Sequence, residues 1–332
     1  MARLRTSALL VLPLAVITLR AQPQFKTHTD LIEVPPVVED AQGRPVLALG
    51  RDDFEIREDG RPVSVATFAS IDSDAAAATS DGRFVVLLLD LRAGPTAKKV
   101  AKMIAERMTE YDELGAVALG GSTNRTTISK AGVDTEIDKL RVSPTIRAVA
   151  VPSIGAMPSE GCAECGNLQL GPMSQYGPFP GNSGPSWSLI LDTISDLSHQ
   201  IRKVPHRHKT LVFIGSAAAF GLTPENVMDG SSGQWFDALR NASRNDVTVD
   251  IIDPTRLGGS HYDGAQAFAA ETGGTAFVNI NQFDDAVERM WRDAGHYYLL
   301  GYEPVSKAKG RHSIDVRVKR PDVTVRARKT RA

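Results

Sequence analysis

The chain has 332 residues and a formal net charge of −1, so no overall charge attracts it to nucleic acid or to an anionic membrane surface. Hydrophobic residues make up 42% of the sequence and charged residues 23%, a balance that is typical of globular proteins and excludes a largely disordered chain. This length is sufficient for one large domain together with a smaller one.

The N-terminal residues have the layout of a secretory signal peptide. Arg3 and Arg5 precede an apolar segment at residues 8–19, and Ala21 stands where a signal peptidase could cut. The segment has roughly 12 residues, whereas a helix that spans a membrane needs about 20. We therefore predict a signal peptide at residues 1–21 and a secreted, periplasmic or extracellular protein, with an uncleaved membrane anchor as the alternative.

Residues 22–71 are predicted to form a small β module. Residues 54–57 alternate apolar and polar side chains, Asp59 and Gly60 follow, and the apolar pattern then resumes. An Asp-Gly pair between two such runs is typical of a β-hairpin, because both turn residues tolerate positive φ angles. Residues 72–82 are rich in Ala, Ser and Asp and have no periodicity, which indicates a linker.

The next segment, Phe84 to Leu89, is an uninterrupted apolar run that ends at Asp90. Because no polar residue alternates with the apolar ones, we expect a strand that is covered on both faces, as in a parallel sheet flanked by helices. A short loop follows, and Pro95 suits the first position of a helix. In open α/β sheets, ligands bind in the crevice at the carboxyl ends of the strands, so Asp90 is a candidate site residue.

The same alternation of strands and helices continues to residue 295. Apolar runs predict further strands at residues 114–119, 125–130, 210–215, 247–252 and 275–279. Apolar residues at helical spacing lie between most of these runs, which favours right-handed crossovers and a doubly wound, mostly parallel α/β sheet over residues 83–295. Residues 142–186 lack periodicity and are rich in Pro, Gly and Ser, which indicates a long loop that is either functional or mobile.

Residues 296–332 return to a strand pattern. Ile314, Val316 and Val318 alternate with polar or charged residues, and a similar alternation follows a Pro-Asp turn at residues 321–322. Since a two-stranded hairpin is only marginally stable alone, we predict that these strands pair with those of residues 22–71. The predicted architecture is therefore an α/β domain with a small β module built from both ends of the chain.

This combination of segments resembles a von Willebrand factor type A domain, and more narrowly the bacterial secreted VWFA-related proteins. The resemblance covers nearly all of the mature chain and implies a Rossmann-like sheet and a role in protein binding. The residues that carry it are 52–60 with Val63 and Phe68, 85–90, 297–302 and 316–328.

In that family, a metal-ion-dependent adhesion site normally lies at the top of the sheet. An Asp-x-Ser-x-Ser motif, a later Thr and an Asp after the fourth strand supply oxygen ligands to a divalent cation, and the carboxylate of a partner completes the shell. Asp90 matches the first carboxylate, but Arg92 and Gly94 stand at the two serine positions. Ser216 stands where the second Asp is expected.

The threonine position of the family falls at Ser186 or Ser188. One carboxylate and one or two hydroxyl groups make a poor cage for a metal ion. At an effective dielectric constant near 20, the charge of Arg92 would disfavour a cation ~4 Å away by on the order of 4 kcal/mol per unit charge. We predict that Arg92 pairs with Asp90 and replaces the ion, so that no cofactor binds; a functional Mg²⁺ site is the alternative.

The chain has two cysteines, Cys162 and Cys165, both in the irregular segment. In an exported protein we interpret them as a local disulfide. A redox Cys-x-x-Cys pair normally lies at a helix N-terminus, and a zinc site would need two further ligands. Ser216 follows a predicted strand, as a hydrolase nucleophile does, but the glycine positions of the G-x-S-x-G motif are occupied by other residues.

Basic residues cluster in two places. His199, His206 and His208 lie among lysines and arginines, which we interpret as a solvated connection, with a metal site as the alternative. The basic residues of the tail alternate with apolar ones and are expected on the wet face of a hairpin, where they discourage edge-to-edge pairing. Binding of anionic envelope polymers is the alternative for the tail.

No catalytic triad, acid–base pair or phosphate-binding glycine loop can be assembled from these residues. We therefore predict a non-enzymatic exported module that binds an unknown protein partner and does not bind nucleic acid. Its degenerate ion site would consist of Asp90, Arg92, Ser188 and Ser216. The alternative is a redox or hydrolytic enzyme that uses Cys162 and Cys165 or Ser216.

Overall fold

The computed structural model describes residues 31–75, 82–119, 132–141, 187–202, 204, 208–220, 232–255, 262–306 and 310–331. The predicted signal peptide, most of the predicted linker, the predicted strand at 125–130 and the loop at 142–186 lie outside these residues. None of the described helices is both long and apolar enough to cross a lipid bilayer. The described residues belong to one compact unit, so the domain boundaries at residues 71, 82 and 295 stay predictions.

The first part of the chain forms five strands, and Pro35 and Pro36 separate the first two. Asp59 and Gly60 have φ angles of 50° and 76° at the turn of the third and fourth strands, which confirms the hairpin that the Asp-Gly pair predicts. The strands are β1 (Ile32–Val34), β2 (Val37–Asp40), β3 (Phe54–Glu58), β4 (Arg61–Val63) and β5 (Val65–Asp72).

Strands and helices alternate in the next part of the chain. Pro95 begins the first helix, where its missing N–H leaves no helical hydrogen bond unmade. The elements are β6 (Phe84–Leu89), α1 (Pro95–Glu106), β7 (Glu113–Ala118), α2 (Val133–Lys139), α3 (Trp187–Ile201), β8 (Lys209–Ile214), α4 (Ser232–Arg244), β9 (Val247–Ile252), α5 (Asp263–Thr272), β10 (Ala276–Phe277) and α6 (Asp284–Gly295).

Five of these strands form an all-parallel sheet in the order β10-β9-β8-β6-β7. β6 pairs with β7 on one side and with β8 on the other. The strand order of the sheet therefore reverses here: β7 extends it to one side of β6, and β8, β9 and β10 extend it to the other side. Helices flank both faces of the sheet. The predicted α/β class with a parallel sheet is confirmed, and the architecture is compatible with a Rossmann-like fold.

The apolar run of β6 supplies side chains to both faces of the sheet. Val86 and Leu88 pack in the core that α3, α4 and α5 cover. Val85, Leu87 and Leu89 pack in the core that α1, α2 and α6 cover. All five side chains are fully buried, because successive residues of a strand point to opposite faces.

The chain ends in four strands, three of which pair with strands of the first part of the chain. β11 lies antiparallel between β1 and β5, β12 pairs with β3 and β14, and β13 pairs with β2. The two ends of the chain therefore share one apolar core. The last strands are β11 (His296–Tyr302), β12 (His312–Val318), β13 (Val323–Arg326) and β14 (Thr330–Arg331).

Tyr298 of β11 connects the two ends of the chain most directly. Its side chain is fully buried, and its ring packs edge-on against Phe54 with 4.8 Å between the centroids. The Tyr298 hydroxyl donates a hydrogen bond to the Val46 carbonyl (2.7 Å) and accepts one from the Leu49 N–H (3.1 Å). A C-terminal side chain thus satisfies the backbone of an N-terminal loop.

We expect Tyr298→Phe to lower the free energy of unfolding by about 1–3 kcal/mol, because a partly buried carbonyl and a buried N–H lose their shared partner. Urea unfolding followed by circular dichroism measures this change. Tyr111→Phe is the control, since the Tyr111 side chain is exposed. Equal stabilities of the two variants would contradict the role assigned to the Tyr298 hydroxyl.

Candidate functional site

The candidate site lies at the carboxyl ends of β6, β8 and β9, where the strand order reverses. The Asp90 N–H donates a hydrogen bond to the Ile214 carbonyl (2.9 Å), and the Gly215 N–H donates one to the Ile252 carbonyl (3.1 Å). These bonds continue the sheet by one residue and place Asp90 beside the loop that contains Gly215 and Ser216. Ligands of doubly wound sheets bind at this place in the fold.

Gly215 allows the two loops to approach each other closely. A Cβ atom on Gly215 would lie 2.8 Å from the Asp90 Cβ and 2.4 Å from the Phe213 Cζ. Both distances are shorter than any normal contact between carbon atoms. The structure therefore brings two of the predicted site positions, Asp90 and Ser216, to one crevice, with a glycine between the strand end and the serine.

Asp90 and Arg92 form an ion pair in this crevice. The Asp90 side chain is 4% exposed, and its Oδ1 accepts the backbone N–H of Arg92 at 3.1 Å and the Arg92 Nε at 3.3 Å. The backbone contact caps a short 3-10 turn, Leu91–Ala93, that follows β6. Two contacts to the same carboxylate oxygen hold Arg92 over the end of the strand.

The outer part of the Arg92 guanidinium faces solvent. The Arg92 side chain is 31% exposed, and within the described residues neither Nη1 nor Nη2 of Arg92 has a hydrogen-bond partner. The second carboxylate oxygen of Asp90 likewise has no partner there. Gly94, at the second serine position of the family motif, supplies no side-chain oxygen and has a φ of 94°, which favours glycine.

Asp253, which sequence reasoning did not select, is the second buried carboxylate of the crevice. Its Oδ2 accepts the Ala217 N–H (2.9 Å), and its Oδ1 accepts the N–H and the hydroxyl of Thr255. Asp253 thereby fixes the loop after Ser216. The signal that could have found it is the polar Asp-Pro pair directly after the apolar run of β9.

The remaining predicted site residues divide into three cases. Ser216 is half-buried in the crevice, and its hydroxyl makes no hydrogen bond to a histidine or a carboxylate in the part of the chain that the structure describes. Ser188 lies half-buried in the first turn of α3. Ser186, Cys162 and Cys165 lie outside the described residues.

A comparison of the chain with protein-family models finds no match, and a search of curated proteins finds none either. The resemblance to von Willebrand factor type A domains and the degenerate ion site therefore stay predictions. What the structure adds is the position of Asp90 and Arg92 at the reversal point of a parallel sheet.

The prediction of a solvated histidine cluster is wrong for His208. The side chain of His208 is buried and packs against the Tyr297 ring, with 4.9 Å between the centroids. Burial lowers the pKa of His208 to about 3. His199 is exposed on α3, and His206 lies outside the described residues.

A second group of ionisable side chains lies between the terminal strands and the parallel sheet. Glu39 of β2, almost fully buried, is contacted by three arginines at 2.9–3.5 Å between nitrogen and oxygen atoms; they are Arg289, Arg292 and Arg326. The Arg326 guanidinium also contacts Asp293 of α6 and the Thr275 hydroxyl. These charged residues belong to β2, α6 and β13, which are far apart in the sequence, so the pattern of polar positions within each segment could not predict that their side chains are in contact.

Asp250 of β9 lies at the buried edge of this group. Its Oδ1 accepts the Thr275 N–H at 2.7 Å. Burial raises the pKa of Asp250 to about 7, although the Thr275 N–H and the nearby Arg326 favour its charged form. A carboxyl group inside the protein thus titrates near neutral pH.

We expect Asp250→Asn to change how stability depends on pH. Because the native pKa of Asp250 lies above its unfolded value near 4, the native state binds more protons between about pH 4 and 7. The contribution of Asp250 is therefore greatest at low pH and falls as the pH rises through 7. The variant lacks this titration and should be more stable than the wild type at pH 8, by roughly 1–3 kcal/mol.

Urea unfolding at a series of pH values between 4 and 8 measures this effect. Asp315→Asn, which removes an exposed carboxylate of β12, is the control and should give a curve parallel to that of the wild type. A parallel curve for Asp250→Asn as well would show that the pKa of Asp250 is the same in the native and the unfolded state, which would contradict the effect of burial.

Proposed function

We propose that the chain is an exported, non-enzymatic interaction module of von Willebrand factor A type, and that its crevice binds a protein partner through Arg92 without a metal ion. The observation that supports this proposal is the Asp90–Arg92 ion pair at the reversal point of the sheet. In this proposal, Asp90 corresponds to the family's first carboxylate ligand and the Arg92 guanidinium takes the place of the cation.

The geometry of Arg92 suits recognition of a carboxylate. Its Nε contacts Asp90 at 3.3 Å, so the guanidinium plane is held at one edge, and the two terminal amino groups have no partner among the residues that the structure describes. A guanidinium binds a carboxylate through two parallel N–H donors, and a side chain that is already oriented loses less entropy on binding. The partner would therefore present an Asp or Glu side chain, the same group that completes the shell of a bound cation.

The charge of Arg92 also argues against a cation at this place. One oxygen of Asp90 already accepts hydrogen bonds from Arg92, and both oxygens of Asp253 accept hydrogen bonds from Ala217 and Thr255. A hard divalent cation requires about six oxygen ligands, and the described residues of the crevice offer few oxygens without partners. Arg92 in addition repels a cation by on the order of 4 kcal/mol at ~4 Å.

Calorimetric titration with Mg²⁺ or Mn²⁺ tests the absence of a metal. We expect no binding in the micromolar range for the wild type. Arg92→Ser restores a hydroxyl and removes the charge, and should bind Mn²⁺ at least tenfold more tightly than the wild type. Arg92→Lys keeps the charge and should behave as the wild type does; a micromolar constant for the wild type would refute ion replacement.

A photo-crosslinking amino acid at Ser216 tests partner binding in an envelope extract of the producing cells. We expect a defined crosslinked protein at Ser216 and none from the same group at Gln200, which is exposed at the far end of α3. Arg92→Glu should abolish the crosslink, because it repels the partner's carboxylate. Lys99→Glu, an exposed charge reversal on α1, should leave it unchanged. A crosslink that survives Arg92→Glu would contradict the role of Arg92.

A further inference from the structure

A small cavity lies between the parallel sheet and the terminal strands, far from the crevice. It has room for about one water molecule. The sheet contributes side chains at the start of β8 and β9, the terminal strands contribute β2 and Arg326 of β13, and α6 contributes its last turns. The cavity therefore lies where the two ends of the chain cover the sheet.

Strand register brings polar side chains of β8 and β9 to this cavity. Thr210 lies opposite Thr248 in the sheet, and Val212 lies opposite Asp250. Residues two apart along a strand point to the same face, so His208, Thr210 and Asp250 share the face that the terminal strands cover. All three line the cavity.

Two fully buried polar atoms of the cavity, His208 Nδ1 and Thr210 Oγ1, have no hydrogen-bond partner among the described residues. The two residues are only 7% and 1% exposed. Asp250 accepts one hydrogen bond at Oδ1, and within the described residues its Oδ2 accepts none. A buried polar atom without a partner costs about 1–3 kcal/mol, so His208 Nδ1 and Thr210 Oγ1 call for a partner that Asp250 Oδ2, in the same cavity, can share.

Two other polar side chains of the cavity, Thr248 and Arg326, are already hydrogen-bonded. The Thr248 hydroxyl donates to the Thr272 carbonyl. Each of the three guanidinium nitrogens of Arg326 has an acceptor, on Glu39, Thr275 or Asp293. Among the described residues, the cavity groups without a hydrogen bond are the Thr210 hydroxyl, one neutral nitrogen of His208 and Oδ2 of Asp250, together with Oδ1 of Asp293, whose nearest arginine nitrogen is 3.8 Å away.

We propose that this cavity is a binding site for a single water molecule that bridges His208, Thr210 and Asp250. Buried waters typically make about three hydrogen bonds to polar groups that are otherwise unsatisfied, and the cavity offers three. The water accepts a hydrogen bond from the Thr210 hydroxyl and donates one to the Asp250 carboxylate. Whether it donates to His208 Nδ1 or accepts from it depends on the tautomer of the imidazole. A cation is disfavoured because the Arg326 guanidinium lines the same cavity.

This water would also solvate the Asp250 carboxylate. Besides the water, Asp250 experiences charges from every element packed around it; they are Arg326 of β13, Asp293 and Arg289 of α6, Glu39 of β2 and neutral His208 at the start of β8. Loss of one water contact should therefore disfavour the carboxylate and raise its pKa. The terminal strands close the cavity that holds the water, and the water in turn lowers the pKa of the buried Asp250.

Thr210→Val tests the proposal by the sign of its effect. Valine has nearly the shape of threonine but cannot hydrogen-bond. If water occupies the cavity, the variant removes one of its three partners, and at pH 8 the melting temperature should fall by roughly 2–4 °C. If the cavity is dry, the variant removes an unsatisfied buried hydroxyl, and the melting temperature should rise; that result would overturn the proposal.

Three further measurements on the full chain complete the test. Water-to-amide nuclear Overhauser effects should show a long-lived water near Thr210 in the wild type and not in Thr210→Val, and their absence in the wild type would refute the site. The pKa of Asp250, followed by its carboxyl ¹³C shift, should be higher in Thr210→Val. Thr248→Val, which removes a hydroxyl of the same cavity that is already bonded, should leave the water signal in place. A melting temperature that rises specifically with ammonium ion, at constant ionic strength, would assign the cavity to a cation instead.

Discussion

Complete burial of β6 on both faces is the constraint on which the rest of the structure depends. Its side chains from Val85 to Leu89 are all 0% exposed, and such a strand is stable only where two layers of helix cover it. The covering helices α1 and α3 lie on opposite faces, so the strands that follow them extend the sheet in opposite directions from β6. That reversal produces the crevice, and the abrupt change from Leu89 to Asp90 puts a carboxylate at its floor.

The crevice is polar but most of its polar groups are engaged. Asp253 uses three donors from residues 217 and 255 to fix one loop, and Asp90 uses Arg92 to fix another. A site of this kind is preorganised by protein groups, whereas a metal site would need the same carboxylates for the ion. The guanidinium is then the exposed group of the pair, and it sets the chemistry that a partner would have to match.

A group of buried charged residues lies where the terminal strands cover the parallel sheet. The terminal strands cover β8 and β9 with charged as well as apolar side chains, so Glu39, Asp250 and Asp293 become buried beside arginines. Buried charges are expensive unless they are paired and hydrogen-bonded. Burial raises the pKa of Asp250 to about 7, although the Thr275 N–H donates to its carboxylate. Burial raises the pKa of Asp293 as well.

The sequence by itself determined the strands of the parallel sheet, the hairpin at Asp59 and Gly60, the pairing of the tail with the N-terminal strands, and the position of Asp90 at a strand end. The strands, the hairpin and the position of Asp90 follow from local periodicity and from turn residues, which act over a few neighbouring positions. The pairing of the tail follows instead from the marginal stability of a two-stranded hairpin alone. Only the tertiary structure decided that β6 lies between β7 and β8, that Asp253 fixes the loop after Ser216, and that His208 is buried rather than solvated. Alternation along a strand tells which side chains share a face, but not which distant segment covers that face; for His208 and Asp250 that segment begins more than 150 residues earlier in the chain.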